Sequence, residues 1–123
     1  MRAVDLPELR VAGAPLSHAV VVGGLAYCSG QVPLAPDGTL VTDDVAAMTR
    51  QALANLGAVL RAADSGLDRV VRTTVYLTDF ADYPQMNLAY AKLLAHRPAR
   101  TCVQVAGLPL GARLEIDCVA VCA

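Results

Sequence analysis

The sequence predicts one α+β domain over residues 1–123, in which two helices cover one face of a mixed sheet. Five segments have the composition and length of strands, and two longer segments carry apolar residues at helical spacing. The predicted order along the chain is β-β-α-β-α-β-β. A length of 123 residues suits a single core, and no linker, repeat or low-complexity tract divides the chain.

The first two predicted strands form a hairpin around Gly23-Gly24. Ala19–Val22 and Leu25–Ser29 flank this two-residue turn signal. The following segment, Pro33–Gly38, is rich in Pro and Gly and is expected to be a loop with a turn at its end.

The first helix is predicted over residues 42–63. Thr42 is the expected N-cap, and the two aspartates after it suit the positive end of a helix dipole. Gly66 is the expected stop just past the end of the helix. One apolar stripe at helical spacing comprises Val45, Met48, Ala52, Leu56, Val59 and Leu60.

A strand over residues 69–78 is predicted to lead into a second helix over residues 82–94. Val, Thr and Tyr dominate the strand. Asp82 and Gln85 have the spacing of a capping box, and Pro84 fits the first turn of a helix. Both signals place the start of the second helix at the same point.

The last two strands, over residues 100–106 and 113–121, are expected to pair as a hairpin across a Gly- and Pro-containing turn. A turn centred near residues 108–110 places Gln104 opposite Glu115. Because side chains alternate along a strand, this register puts Arg100, Cys102, Gln104 and Glu115 on the face away from the helices. The polar groups would then collect where a partner subunit or a pocket lies.

Arg100 is the most informative polar side chain, because it stands at the start of an otherwise apolar strand. A lone guanidinium there is suited to bidentate binding of a small carboxylate. An ion pair with a neighbouring carboxylate explains the residue equally well from spacing alone. The same alternatives apply to Glu115 and Asp117, and pairing is favoured for Asp117.

Composition and charge restrict the kinds of function that the protein can have. Apolar residues make up 55% of the chain, a share that indicates additional surface buried in an oligomer. The formal net charge of −1 does not provide the basic footprint that nucleic-acid binding normally needs. No apolar run reaches membrane-spanning length, and charged residues near the N-terminus interrupt any signal peptide. A cytoplasmic protein without a membrane segment is therefore expected.

The cysteine and histidine pattern does not predict a metal site. The four cysteines lack C-x-x-C spacing and lie in apolar strand contexts, which favours buried free thiols. Nothing near Cys102 in the sequence would lower its pKa, so a small core residue is favoured over a nucleophile. His18 and His96 are isolated, and each is expected to be a surface or hydrogen-bonded histidine. The cysteines are Cys28, Cys102, Cys118 and Cys122.

Several ordered motifs resemble the Rid family, the reactive intermediate deaminases also called YjgF or L-PSP endoribonucleases. Pro98-Ala99-Arg100 with Cys102, followed by Leu114-Glu115-Ile116, resembles the family signature. The resemblance extends over nearly the whole chain. The other matching segments are Ala14–Val20 (family G-P-Y-S-Q-A-V), Tyr27–Pro33 (S-G-Q-I/V-P), Asn55-Leu56, Thr73–Asp79 (T-x-V-Y/F-x-x-D) and Met86-Asn87 with Tyr90 (V-N-x-x-Y).

The resemblance implies a chorismate-mutase-like fold and a homotrimer whose sheets line a central barrel, with a pocket at each subunit interface. It implies hydrolysis of 2-imino acids, released as enamines by pyridoxal-phosphate enzymes, to 2-keto acids and ammonia, without cofactor or metal. Arg100 would hold the substrate carboxylate, and Glu115 would orient water or the nitrogen. The residues expected to contact substrate are Arg100, Cys102, Ser29, Leu16 and Asn87.

Three departures separate this chain from the family pattern. Leu16 replaces the family tyrosine, His18 replaces a glutamine, and the segment over residues 94–97 looks several residues shorter. Without the tyrosine, an aromatic or hydroxyl contact over the substrate is lost. A non-catalytic trimer that binds small carboxylates through Arg100 is therefore the alternative to a deaminase. A ribonuclease is less favoured, because the chain is slightly acidic and has no evident acid/base pair.

Overall fold

The computed structural model describes all 123 residues and confirms the α+β class, with two helices packed on a mixed sheet of six strands. The N-terminal strand β1 is one more strand than the sequence predicted. The strands are β1 Arg2–Val4, β2 Ala19–Val22, β3 Leu25–Gln31, β4 Val70–Leu77, β5 Ala99–Gln104 and β6 Leu114–Val121, and the helices are α1 Val45–Ala62 and α2 Tyr83–Leu93.

The sheet has the order β1-β2-β3-β6-β4-β5, so β4 lies between the last two strands. The predicted C-terminal hairpin is therefore wrong: β5 runs parallel to β4, and β6 runs antiparallel to β4. The predicted register fails with it, because Gln104 pairs with Leu77 and Glu115 pairs with Tyr76. The chain after β5 crosses the end of β4 through a short turn at Pro109–Gly111, in which Leu110 has a positive φ of 61°, instead of folding straight back.

The first hairpin forms as predicted, with Gly23 and Gly24 between β2 and β3. Both glycines have positive φ angles of 60° and 76°, the backbone conformation that a two-residue hairpin turn requires. Val22 pairs with Leu25 directly across the turn, and Ala19 pairs with Cys28 at the other end of β2, which is the register that a two-residue turn sets.

Helix α1 begins at Val45, later than predicted, and Asp44 rather than Thr42 is its N-cap. Asp44 Oδ1 accepts a hydrogen bond from the backbone N–H of Ala47 at 2.7 Å. A charged cap here satisfies a free N–H and is also favoured by the helix dipole. The predicted apolar stripe is confirmed, since all six of its residues are buried.

Helix α2 has Pro84 in its first turn as predicted, but Asp82 and Gln85 do not form a capping box. The backbone of Asp82 is already helical, and its carboxylate turns instead to Arg113, whose Nη2 lies 2.8 and 2.9 Å from the two oxygens. A nearly buried carboxylate is costly without such a partner. The ion pair ties the start of α2 to the residue before β6.

The main core holds 22 buried residues between the helices and the sheet, most of them aliphatic. On the opposite face of the sheet, Val22, Tyr27, Val103 and Val121 remain between 37% and 47% exposed. All four cysteine thiols are free; Cys28 and Cys118 are buried, and the other two are partly buried. Neither helix combines the length and the hydropathy needed to cross a membrane.

Candidate active site

Arg100 lies on β5 with its side chain turned toward helix α2. Its Nη2 donates to Tyr83 Oη at 3.1 Å, and its Nη1 lies 3.9 Å from Met86 Sδ. The guanidinium carbon lies 4.9 Å from the centre of the Tyr90 ring and 5.5 Å from that of Tyr83. Two aromatic rings thus hold the guanidinium by cation–π attraction and leave most of its N–H donors free.

Arg100 has no carboxylate partner. The arginine–carboxylate pairs of this chain involve Arg2, Arg10 and Arg113 instead. The ion pair that spacing allowed for Arg100 is therefore absent within the chain. A partly buried guanidinium that lacks an anionic partner is suited to bind a carboxylate from outside the chain.

Asn87 and Cys102 lie on either side of Arg100. Asn87 lines the same surface hollow as the guanidinium, and its Oδ1 is buried without a donor. Cys102 borders Arg100 in the adjoining hollow. Burial raises the pKa of the Cys102 thiol, and the Arg100 charge offsets this only in part. The thiol is therefore protonated at neutral pH, which agrees with the prediction that it is not a nucleophile.

Glu115, on β6, borders a separate cavity of about 110 Å³ together with Leu16 and Gly30. Burial raises the pKa of its carboxyl, and the charge of Asp117 raises it further. Asp117 itself accepts hydrogen bonds from Tyr76 Oη at 2.9 Å and from a backbone N–H at 3.2 Å, without an ion pair. Glu115 has neither kind of partner, which leaves its carboxyl free to exchange protons.

Three further residues lie near Glu115 and its cavity: Ser29, Leu16 and His18. Ser29 Oγ donates to the carbonyl oxygen of Ser17 at 2.7 Å, which fixes the segment before β2 against β3. Leu16 is 53% exposed at the mouth of the cavity. His18 is buried and hydrogen-bonded, whereas His96 is exposed and has its Nε2 2.8 Å from the Val70 carbonyl oxygen.

Within one chain, Arg100 and Glu115 lie on opposite faces of the sheet. Arg100 pairs with Thr73, which is buried on the helix side, where its Oγ1 lies 2.6 Å from Tyr90 Oη. Glu115 pairs with Tyr76, three positions further along β4, and residues an odd number apart point to opposite faces. The predicted shared face is therefore wrong.

The other two side chains of the predicted group stay with Arg100. Cys102 and Gln104 lie two and four residues after Arg100 on β5, so their side chains point to the same face. They pair with Val75 and Leu77, both of which are buried on the helix side. Gln104 Oε1 accepts a hydrogen bond from the Phe80 backbone N–H at 2.8 Å. One chain thus carries two separate half-sites, one around Arg100 and one around Glu115.

Sequence reasoning missed the tyrosine clamp around Arg100 and the role of Gly30. Tyr83 and Tyr90 are seven residues apart, which is two helical turns, so both side chains emerge on one face of α2. That spacing is the signal that could have found the clamp. A side chain at Gly30 would place its Cβ 2.7 Å from Glu115 Cδ, and only the structure shows this close approach.

The chain matches one known family over nearly its whole length. The model of the family described as Endoribonuclease L-PSP matches residues 8–122. The chain belongs to this family, the Rid or YjgF family. The resemblance of the sequence motifs is thereby confirmed, and with it the two-layer fold of Rid-family proteins.

Three relatives illustrate what this Rid-family chain is similar to. Human 2-iminobutanoate/2-iminopropanoate deaminase is 40% identical over 122 residues, which cover 98% of this chain and 89% of the relative. The mitochondrial protein mmf1 of Schizosaccharomyces pombe is 39% identical over 121 residues, covering 95% of this chain and 74% of mmf1. The structure of E. coli TdcF with bound serine superposes with a TM-score of 0.91 at 30% identity and covers all of both chains.

Proposed function

We propose that this protein hydrolyses 2-imino acids to 2-keto acids and ammonia. The observation that carries the proposal is the guanidinium of Arg100, which is clamped by two tyrosines and has no carboxylate partner. A 2-imino acid carries its carboxylate next to the reactive carbon, so a bidentate pair with Arg100 fixes the position of that carbon. The human relative is named for a reaction of this kind.

The proposed site is completed between chains. The two half-sites lie on opposite faces of one sheet, and the face that carries Glu115 also exposes apolar side chains such as Tyr27 and Val103. A homotrimer in which the Glu115 face of one chain packs against the β5 edge of the next buries that surface and brings Arg100 of one chain beside Glu115 of the next. A ring of three then contains three equivalent sites.

In the proposed mechanism, Glu115 carries the proton transfers. Water adds to the carbon of the protonated imine while the Glu115 carboxylate takes one of the water protons, which gives a carbinolamine. The carboxyl then returns this proton to the nitrogen, the C–N bond breaks, and the hydroxyl proton leaves with ammonia as the keto group forms. The protonated imine is already a strong electrophile, so water suffices as the nucleophile.

The remaining residues position the substrate. Asn87 Oδ1, which lacks a donor, would accept a hydrogen bond from the substrate, and Cys102 would contact it beside Arg100. Ser29 would hold the wall near Glu115, and Leu16 would present an apolar surface to the substrate. The reaction in this form uses neither cofactor nor metal. Cytoplasmic residence stays a prediction, because mmf1 is a mitochondrial protein.

The direct test is the rate of 2-keto acid formation from freshly generated 2-iminopropanoate and 2-iminobutanoate. We expect the protein to accelerate both reactions in proportion to its concentration, and heat-denatured protein to have no effect. A rate equal to that in buffer would exclude deaminase activity on these substrates.

A binding-only trimer is the second candidate, and the observation that favours it is Leu16, which offers no hydroxyl or aromatic ring to the substrate. Calorimetry with 2-oxobutanoate or serine would then show binding that Arg100→Ala abolishes, while imines would persist at their buffer rate. The family description also names an endoribonuclease. RNA cleavage that weakens with added salt would support that activity.

Gly30→Ala tests the position of the Glu115 carboxyl. The added Cβ would lie 2.7 Å from Glu115 Cδ, so the carboxyl must move. We expect kcat/KM for 2-iminopropanoate to fall at least about tenfold, since catalysis is sensitive to displacements on this scale. The melting temperature should change little, because the contact is with the flexible end of a side chain.

Gly107→Ala is the matched control, because a Cβ there meets no atom within 4 Å and its φ angle is not positive. It should leave both kcat/KM and the melting temperature unchanged. Full activity in Gly30→Ala would show that the observed position of Glu115 does not matter for turnover.

A further inference from the structure

The cavity beside Glu115 combines apolar walls with two buried polar side chains. His18 and Gln31 border it and are only 2% and 6% exposed. The cavity has a volume of about 110 Å³ and adjoins the carboxyl that performs the proposed proton transfers. The apolar walls include Leu9, Leu16, Val32 and Leu34.

Both polar side chains have hydrogen-bonding capacity that the chain does not use. Gln31 makes no side-chain hydrogen bond, so its carbonyl oxygen and its amide group are both free. His18 directs Nδ1 to the backbone N–H of Leu6 at 3.0 Å and lies 3.1 Å from Asp5 Oδ1, which leaves Nε2 without a protein partner. Covering such groups with a purely apolar ligand is unfavourable, whereas a polar group that pairs with them is favoured.

The charges around the cavity disfavour a second carboxylate on the ligand. Arg10 also borders the cavity, but its guanidinium is already paired with Asp5. Within its own chain Glu115 faces the cavity without a cation, and in the proposed trimer the neighbouring Arg100 is already paired with the carboxylate next to the imine carbon. An acidic side chain would meet this carboxyl without a free positive charge to offset the repulsion.

The size of the cavity limits the length of the group it can hold. A volume of 110 Å³ is smaller than the roughly 150 Å³ of an apolar cavity that holds benzene, so it suits a side chain of about four non-hydrogen atoms. The side chains of asparagine, aspartate and leucine each have four non-hydrogen atoms in the same branched shape. A carboxamide among these three offers both a donor and an acceptor, so it can pair with Gln31 and accept a hydrogen bond from His18 Nε2–H, since Nδ1 accepts from the Leu6 backbone N–H.

We propose that this cavity receives the side chain of the substrate and that the protein prefers 2-imino acids whose side chain ends in a carboxamide of the size found in asparagine. This inference rests on the proposed function and assigns the substrate class of the same site. It also gives Leu16 a role, because a leucine at the mouth leaves open the space that a larger aromatic residue would narrow.

The first test compares three isosteric imines, generated freshly from asparagine, leucine and aspartate by an amino-acid oxidase, with 2-iminopropanoate as the reference. We expect kcat/KM for the asparagine-derived imine to exceed those of the other two isosteres at least about tenfold. Equal values, or a higher value for the leucine- or aspartate-derived imine, would overturn the inference.

Gln31→Met is the variant that isolates the polar contact. It keeps the length of the side chain but removes its hydrogen bonds, and no protein partner is left unpaired, so the fold should tolerate it. We expect the asparagine-to-leucine ratio of kcat/KM to fall about fivefold or more. The control Leu88→Ala changes a side chain that is 71% exposed on α2 and should leave the ratio unchanged. An unchanged ratio in Gln31→Met would contradict the assignment.

A binding measurement separates failure of this inference from failure of the proposed function. Calorimetry would compare the stable keto acids 2-oxosuccinamate and 4-methyl-2-oxopentanoate. Tighter binding of the carboxamide without turnover of any imine would support the cavity assignment and exclude the deaminase. Turnover of 2-iminopropanoate with no carboxamide preference in either assay would overturn the inference alone, and equal binding without turnover would overturn both.

Discussion

Arg100→Ala should lower kcat/KM for 2-iminopropanoate by a factor of about 10²–10³, because two charge-assisted hydrogen bonds to the substrate carboxylate are lost. The guanidinium is held in place by Tyr83 and Tyr90 before substrate arrives, so little of its binding energy goes into ordering the side chain. The measurement is the initial rate of 2-keto acid formation over a range of imine concentrations.

Two further variants separate charge from geometry. Arg100→Lys keeps a positive charge but cannot bind both carboxylate oxygens through a planar fork, so it should recover only part of the lost activity. Arg50→Ala removes an exposed arginine from α1 and should have no effect. If Arg100→Ala retained full activity while it remained folded, the substrate carboxylate would have to bind elsewhere.

Glu115→Gln should lower kcat about 10²–10⁴-fold while the binding of 2-oxobutanoate changes little, because an amide of the same shape cannot accept the water proton. Calorimetry and single-turnover rates would separate the two effects. Glu8→Gln, which changes a glutamate on the exposed surface, is the matched control. Loss of binding and turnover together would assign Glu115 to substrate binding instead.

The pH dependence follows from the raised pKa of Glu115. The carboxylate base forms only above the pKa of Glu115, which burial and Asp117 raise and the Arg100 charge of the next chain lowers, so kcat/KM should fall as the pH drops through a midpoint at that pKa. Asp117→Asn removes the neighbouring charge and should move this midpoint to lower pH. The folded state also holds the Glu115 proton to higher pH than the unfolded chain does, so this group makes the fold less stable as the pH rises toward the raised pKa.

Mixed oligomers test whether the two half-sites come from different chains. Arg100→Ala and Glu115→Gln chains would be co-expressed with different tags and allowed to assemble at random. If each site joins Arg100 of one chain to Glu115 of the next, about a quarter of the sites contain both native residues, and activity returns to that level. A mixture as inactive as its components would show that the site is not shared in this way.

The local elements were predictable because each has its own period or turn signal. The α1 stripe from Val45 to Leu60 and the Gly23-Gly24 turn both formed where the pattern indicated. The helix starts were less certain, because several adjacent residues can cap. Asp44 supplied the cap that Thr42 was expected to provide, and Asp82 paired with Arg113 across the fold instead of capping.

The order of the strands in the sheet could not be predicted from the sequence pattern. The turn signals after β5 suit a hairpin, yet β4 inserts between β5 and β6, which puts Arg100 on the helix side while Glu115 keeps its predicted face away from the helices. Parallel pairing of β4 with β5 depends on contacts between residues distant in sequence. The residue types of the candidate site could be predicted, whereas their separation into two half-sites required the structure.

The separation of Arg100 and Glu115 by the sheet has a consequence for how the activity depends on the amount of protein. If each site is completed between chains as proposed, a chain that is folded but alone holds no complete site, so dilution should abolish activity while the circular dichroism stays native. The catalytic activity in a cell would then rise more steeply than the amount of chain made, until nearly every copy is assembled. While assembly is incomplete, a modest change in expression would therefore change the activity more than proportionally.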